Sequence, residues 1–202
     1  MTLFARRPLL ILAAVVALGA CNRAGESPKA SFQGVDITGA QYARELALPD
    51  ADGKLRTLGD FKGKVTVVFF GYTQCPDVCP TTMAELAEVK RALGPDGDKV
   101  QGVFVTLDPE RDTPEVLKAY VKNFDPSFVA LRGSGEQTQG VAKEFKVFSA
   151  KVPGQAEGSY TVDHTAGSYI FDTEGRVRLF TRYGAGAKAL AGDIQQLLKQ
   201  GA

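Results

Sequence analysis

The sequence of 202 residues contains no tryptophan, one histidine, two methionines and only three cysteines. It also lacks a basic run: its 24 Lys and Arg are scattered among 23 Asp and Glu, for a formal net charge of +1. Binding to nucleic acid relies on clustered positive charge, so we expect no nucleic-acid partner. Because cysteine and histidine are so scarce, the positions of these few side chains are informative.

The first 20 residues, MTLFARRPLLILAAVVALGA, have the order of a secretory signal peptide. Arg6 and Arg7 supply a short positive region, and an uninterrupted apolar run over 9–18 follows. That run is too short for a comfortable transmembrane span, which needs about 20 residues. We therefore expect residues 1–20 to be removed and the remaining chain to work outside the cytoplasm, where disulfides are permitted.

The next residue, Cys21, follows Leu-Gly-Ala in a segment that resembles the bacterial lipobox. The resemblance implies cleavage before Cys21, attachment of lipid to its sulfur, and a lipoprotein held to the membrane on the periplasmic side. Two or three acyl chains anchor stably where a single chain is marginal. The alternative is an ordinary signal peptide with Cys21 unmodified. The polar segment 21–37 is then the lipidated tether, and 38–202 is one folded domain.

Patterns typical of strands and helices alternate through residues 38–202. A hairpin is predicted over 42–58, with its turn at 49–53. The later predicted strands are 64–70, 100–107, 128–131, 168–172 and 176–181, and the predicted helices are 80–93, 112–124, 136–145 and 188–199. Strand–helix–strand units favour a parallel sheet, and a closing hairpin makes the sheet mixed. The predicted fold class is α/β, in the order of a thioredoxin-like fold, with a mixed central sheet, helices on both faces and an extra N-terminal β-hairpin.

Two cysteines, Cys75 and Cys79, lie in the stretch GYTQCPDVCP between a predicted buried strand and a predicted helix. Sites in open α/β sheets gather at the carboxyl ends of strands, and a helix N-terminus favours thiolate over thiol. Proline disfavours helical backbone in the residue before it, so we expect the helix to begin at Pro80, with both sulfurs on the turn ahead of it. Such a turn suits one metal ion or one disulfide, and spacing alone does not choose between them.

The cysteine stretch resembles the motif of the Sco/SenC family, and the segment TLDPERDTP over 106–114 resembles the second signature of that family. The similarity covers about residues 40–200. A CxxC motif at this point is typical of thioredoxin-type oxidoreductases, whereas the spacing here is CxxxC. The ten-residue motif is far more specific than a bare CxxxC.

The single histidine, His164, precedes the predicted strand 168–172. In thioredoxin-like enzymes this segment passes beside the active cysteines and usually carries a cis-proline. This chain has no proline between Gly154 and the strand, and it has histidine instead. The resemblance implies that His164 is the third ligand of one copper ion, with Cys75 and Cys79. Two thiolates and an imidazole suit Cu(I) and Cu(II), whereas a structural zinc site normally has a fourth ligand.

Acidic residues beside these ligands are candidates for supporting roles. Asp77 lies between the cysteines and Asp163 precedes His164, so either is positioned to accept a hydrogen bond from an imidazole N–H. Each could equally cap a turn. For the charged loop 108–112 we expect a solvated turn and helix cap, with a partner-docking surface as the alternative.

The resemblance implies a copper metallochaperone that delivers the ion to the binuclear copper centre of cytochrome c oxidase. Its implied partners are the copper-bearing subunit of the oxidase and other periplasmic copper chaperones or thiol reductases. The alternative is a thiol–disulfide reductase in which Cys75 attacks and Cys79 resolves. Thiol exchange needs neither His164 nor a metal, so the third ligand favours the chaperone, and both roles can coexist.

Overall fold

A computed structural model describes residues 31–201 of the chain. Its strands are β1 (Val35–Asp36), β2 (Ala47–Pro49), β3 (Leu55–Thr57), β4 (Val65–Gly71), β5 (Val100–Thr106), β6 (Val129–Leu131), β7 (Ser149–Pro153), β8 (Tyr160–His164), β9 (Gly167–Phe171) and β10 (Val177–Arg182). Its helices are α1 (Val78–Ala92), α2 (Pro114–Lys122), α3 (Gly135–Glu144) and α4 (Ala187–Gln200). No helix within 31–201 has both the length and the apolar character needed to cross a membrane.

Six strands form one mixed sheet in the order β1-β10-β9-β4-β5-β6. The strands β4, β5 and β6 are mutually parallel, whereas β9 is antiparallel to β4, β10 to β9 and β1 to β10. Two hairpins, β2–β3 and β7–β8, form separate two-stranded sheets, and an isolated bridge between Asp50 and Leu131 joins the first of them to the edge of the central sheet. The predicted mixed sheet and the extra N-terminal hairpin are both confirmed.

The central strands β4 and β5 are buried along their whole length, as their continuous apolar sequences predict. Successive side chains of a strand point to opposite faces of the sheet. On one face Phe69 packs towards Phe104, whose ring centroid lies 5.2 Å from that of Tyr120 on α2. On the other face the ring centroid of Phe70 lies 5.0 Å from that of Phe145, at the end of α3. Helices therefore cover both faces, as predicted.

Regular structure is present inside the segment 21–37 that was predicted to be a tether. The strand β1 pairs with β10, and the residues before it are fixed by the buried carboxylate of Asp193 on α4. That carboxylate accepts hydrogen bonds of 2.8 Å from the backbone N–H groups of Gln33 and Gly34. The predicted boundary at residue 38 thus falls after the first strand of the sheet. The predicted lipidation residue, Cys21, lies outside the described residues.

Two elements differ from the sequence prediction. The predicted strand 42–48 is reduced to β2, because Ala43 has a φ of 55°, which an extended strand cannot contain. The hairpin β7–β8 was not predicted at all. Four of the five residues of β7 are exposed, so its sequence lacks the apolar alternation by which a half-buried strand is recognised.

Candidate metal centre

Residues 72–77, here called the cysteine loop, connect β4 to α1 at the carboxyl end of the parallel strands. The prediction that the helix begins at Pro80 is wrong, because α1 begins at Val78 and includes Cys79 in its first turn. The first N–H groups of a helix have no acceptor within it, so proline at the third helical position breaks no hydrogen bond. The spacing of Thr82 and Glu85 also suggests a capping box at the start of this helix, but the Thr82 hydroxyl donates to the Val78 carbonyl instead.

The structure brings together the three side chains that the sequence singled out. The sulfurs of Cys75 and Cys79 and a ring nitrogen of His164 all lie within 4.8 Å of one another. The Cys79 sulfur is 3.5 Å from Nε2 of His164, and the backbone N–H of Cys79 donates to the Cys75 sulfur at 3.4 Å. Both cysteines are free thiols. Within 31–201 this is the group of His, Cys, Asp and Glu side chains with the spacing of a metal site.

The imidazole of His164 is oriented with Nε2 towards the sulfurs. Its Nδ1 lies 3.1 Å from the carbonyl oxygen of Thr165, so Nδ1–H donates there and Nε2 keeps its lone pair. The imidazole N–H from which Asp77 or Asp163 was a candidate to accept a hydrogen bond therefore points to a backbone carbonyl. Burial also lowers the pKa of His164, which keeps the ring neutral and able to bind a metal.

The two cysteines differ in exposure, because Cys79 is completely buried and Cys75 is half-buried. Burial raises the pKa of the Cys79 thiol, and the hydrogen bond with Cys75 raises it further. The expected stabilisation of thiolate by the helix N-terminus is outweighed at Cys79, because desolvation disfavours the charged form. A cation would have to replace the thiol proton there.

The last residue of β4, Gly71, makes room for the Cys79 sulfur. A Cβ atom at Gly71 would lie 2.7 Å from that sulfur and 2.9 Å from the ring of Phe69. Real Cβ atoms do not approach other atoms this closely, so a larger residue would displace the sulfur. This glycine was not singled out from the sequence, although its position one residue past a buried apolar strand is visible there.

Aromatic rings form the inner wall of the site. The ring of Tyr72 meets the imidazole of His164 edge-on at 6.1 Å between centroids, and Phe69 does so at 6.0 Å. Both aromatic side chains are buried. They restrict the imidazole from behind, leaving the half-buried Cys75 and His164 as the outward part of the group.

The charged loop 108–112 is not the solvated turn that we expected. Asp112 is fully buried and accepts hydrogen bonds from the hydroxyl of Thr73 at 2.6 Å and the hydroxyl of Thr106 at 2.5 Å. The backbone N–H of Thr73 donates to the same carboxylate at 3.1 Å. Asp108 is buried too, beside Arg111. The loop thus holds the cysteine loop in place, while Thr113 caps α2 as predicted.

The donor set suits a soft, weakly coordinated cation. Two sulfurs and one imidazole nitrogen converge from one side, and two of these three ligands are partly open to solvent. Thiolate and imidazole favour copper, while a closed zinc site needs a fourth ligand that no nearby His, Cys, Asp or Glu of 31–201 supplies. The same pair of thiols could also exchange with a disulfide.

Comparison of the sequence with known proteins points to one family. The sequence profile of the SCO1/SenC family matches residues 35–199. A SCO2-like protein of Rickettsia felis is 33% identical over 174 residues, which cover 83% of this chain and 85% of that protein.

Two solved structures share the fold. The copper-bound ScoI of Bradyrhizobium japonicum is 42% identical, with a TM-score of 0.69 over 76% of this chain and 98% of that one. The apo Sco1 of Thermus thermophilus is 38% identical, with a TM-score of 0.74 over 83% and 98% of the two chains. These likenesses confirm the predicted thioredoxin-like fold class. The chain belongs to the SCO1/SenC family.

Proposed function

We propose that this protein is a copper metallochaperone that holds one copper ion through Cys75, Cys79 and His164. The observation that carries the proposal is the convergence of two sulfurs and an oriented imidazole within 4.8 Å. Thiolates suit Cu(I), and imidazole suits both Cu(I) and Cu(II). The relative from Bradyrhizobium, 42% identical to this chain, holds copper.

Copper is the cargo of the protein in this proposal, so the site must release it. Cys75 and His164 are half-buried, which leaves an approach for incoming ligands from a partner, whereas Cys79 is buried beneath them. Transfer proceeds by exchange of thiolate and imidazole ligands, with no change in the oxidation state of the ion. Three ligands leave copper less enclosed than four, which favours such exchange.

The family and the N-terminal sequence support a recipient and a location. We propose delivery to the binuclear copper centre of cytochrome c oxidase, on the copper-bearing subunit, with other periplasmic copper chaperones or thiol reductases upstream. The lipobox-like segment before Cys21 supports a lipoprotein anchored on the periplasmic side. Intact-mass measurement of membrane fractions tests this, because an unmodified Cys21 would contradict the anchor.

A second function, thiol–disulfide reductase, is favoured by the unequal exposure of the two cysteines. The half-buried Cys75, whose sulfur accepts a hydrogen bond from the backbone N–H of Cys79, is the cysteine that a substrate disulfide can reach, and it would make the first attack. The buried Cys79 would then attack the mixed disulfide, release the reduced substrate and leave a Cys75–Cys79 disulfide. An external dithiol would have to reduce that disulfide again. This cycle has no use for His164.

The deciding experiment measures copper stoichiometry and affinity of the reduced, purified protein beside the variants His164→Ala and Cys75→Ser. We expect one tightly held Cu(I) per chain, and a loss of Cu(II) affinity in His164→Ala because imidazole is the ligand that suits Cu(II). Loss of a thiolate in Cys75→Ser should lower the affinity for both ions. The loss should exceed the roughly 10- to 100-fold that is typical when a hydrogen-bond partner of a metal ligand is removed. The measurement is competition with chelators of known affinity.

The opposite result would identify the second function. Weak copper binding that His164→Ala leaves unchanged, together with rapid disulfide exchange that Cys75→Ser abolishes, would make the protein a thiol reductase on the same fold. Tight copper binding retained by Cys75→Ser would show that the assigned ligands are wrong.

A further inference from the structure

The hairpin β7–β8, which carries His164 at its end, has no strand pairing with the central sheet. Most of its side chains are exposed, and Val162 is its one buried residue. A two-stranded ribbon is marginally stable by itself. The position of the third ligand therefore depends on contacts between this hairpin and the rest of the domain.

These contacts centre on Arg111, in the loop between β5 and α2. Its guanidinium lies over the ring of Tyr160 on β8, 3.7 Å from the centroid, and Nη1 donates to the Tyr160 carbonyl at 2.9 Å. The same Nη1 donates to Oε1 of Gln74 in the cysteine loop at 3.1 Å. Nε donates to the buried carboxylate of Asp108, which also accepts from the Tyr160 hydroxyl at 2.8 Å. One side chain thus contacts the hairpin of His164 and the loop of Cys75.

We propose that Arg111 is a positioning residue that sets the distance between His164 and the cysteine pair. The inference rests on the proposed function, since it assigns how the third copper ligand is held. A planar guanidinium bonds in several fixed directions at once and stacks on an aromatic ring, which a lysine ammonium does not. The arrangement therefore requires arginine geometry and not positive charge alone.

The role predicts a selective effect. Without Arg111 the hairpin keeps its own pairing and its contact with Tyr72, but it loses the stack on Tyr160 and the hydrogen bonds that join it to Gln74 and Asp108. Binding of Cu(II) depends on the imidazole, so the affinity for Cu(II) should fall by about 10- to 100-fold. Losses of this size are typical when a residue that orients a metal ligand is removed. Cu(I) should lose less, because the Cys75 sulfur stays on the loop between β4 and α1 and the Cys79 sulfur stays on α1. In the His164→Ala background, removal of Arg111 should change copper affinity little further, because the two residues act through one ligand.

The experiment compares Arg111→Met, His164→Ala and the double variant of the purified protein by Cu(I) and Cu(II) titration and by the Cu(II) spectrum. Arg178→Met is the matched control. Arg178 makes hydrogen bonds to Thr38, Asp172 and Gln200 with a side chain 17% exposed, against 22% for Arg111. It lies at the other end of the sheet. We expect it to leave copper affinity unchanged.

A second readout does not depend on copper. Amide hydrogen exchange over β8 in the metal-free protein should rise in Arg111→Met and stay unchanged in Arg178→Met. Should Arg111→Met not fold, Tyr160→Leu removes the stacking ring from the hairpin side and should raise the same exchange. If amide exchange over β8 rose in Arg111→Met but neither the wild type nor any variant bound copper, the proposed function would be rejected and the positioning role supported.

Three results would overturn the inference. One is that Arg111→Met lowers copper affinity equally in the wild-type protein and in the His164→Ala background. Another is full recovery by Arg111→Lys, since charge alone would then suffice. The third is unchanged amide exchange over β8 in both Arg111→Met and Tyr160→Leu.

Discussion

The cysteines and the histidine of the candidate site come from regions that are built differently. Cys79 lies on the first turn of α1, behind the fully buried strand β4, and its sulfur fills a space left by Gly71. His164 ends a hairpin that pairs only with itself and is exposed along most of its length. The Cys79 sulfur is fixed by close packing, whereas the imidazole, although backed by the rings of Tyr72 and Phe69, depends for its position on a few directed polar contacts to its hairpin.

Under the proposed function, this difference suggests how one site would serve two oxidation states. Close packing resists change, so the cysteine side of the site presents a nearly constant pair of sulfurs. Polar contacts at a surface open at lower cost than a packed core, so the histidine side can move further when the copper ion or its partner changes. Variants on each side test whether the cysteines are held by packing and the histidine by polar contacts.

The largest expected effect on the cysteine side is that of Asp112→Ala. The buried side chain accepts three hydrogen bonds from Thr73 and Thr106, and a typical hydrogen bond contributes a net stabilisation of about 0.5–1.5 kcal/mol. We expect the free energy of unfolding to fall by about 3 kcal/mol and copper affinity to fall with it, because Thr73 lies in the cysteine loop. Denaturant unfolding and copper titration measure the two quantities.

The control is Asp193→Ala, which removes a similarly buried carboxylate. Asp193 accepts two backbone hydrogen bonds at the start of the domain, on α4. We expect a comparable loss of stability with copper affinity retained. If both variants bound copper equally, Asp112 would contribute to the fold in general and not to the cysteine loop.

The sequence predicted the cysteine side well and the histidine side poorly, for a physical reason. The strand β4 and the motif around Cys75 and Cys79 are local patterns: a continuous apolar run and a ten-residue stretch. The support of His164 comes from Arg111, which is 53 positions away, and from a hairpin without apolar alternation. The burial of Asp112 was missed because a charged loop looks the same in sequence whether its partners are water or the hydroxyls of a distant threonine.

An intermediate effect is expected from Gly71→Ala, which tests close packing directly. The added methyl would meet the Cys79 sulfur at 2.7 Å and the Phe69 ring at 2.9 Å. Overpacking of a core costs about 1–3 kcal/mol, and relief requires the sulfur to move, so copper affinity should fall as well. Gly192→Ala on α4 is the control: its Cβ meets nothing within 4 Å, and alanine should raise helix stability. A Gly71→Ala protein as stable as the wild type would contradict tight packing beneath the sulfur.

The smallest effect is expected from Lys151→Gln, on the hairpin itself. Lys151 forms an ion pair of 2.7 Å with Glu110, and the two side chains are 46% and 71% exposed. Exposed ion pairs contribute little, because water and salt screen them. We therefore expect no measurable change in copper affinity or in amide exchange over β8, at low or high salt. If Lys151→Gln loosened the hairpin as much as Arg111→Met, surface charge would hold His164 in place. An unchanged hairpin would leave the half-buried guanidinium, with its ring and carboxylate partners, as the contact that fixes the third ligand.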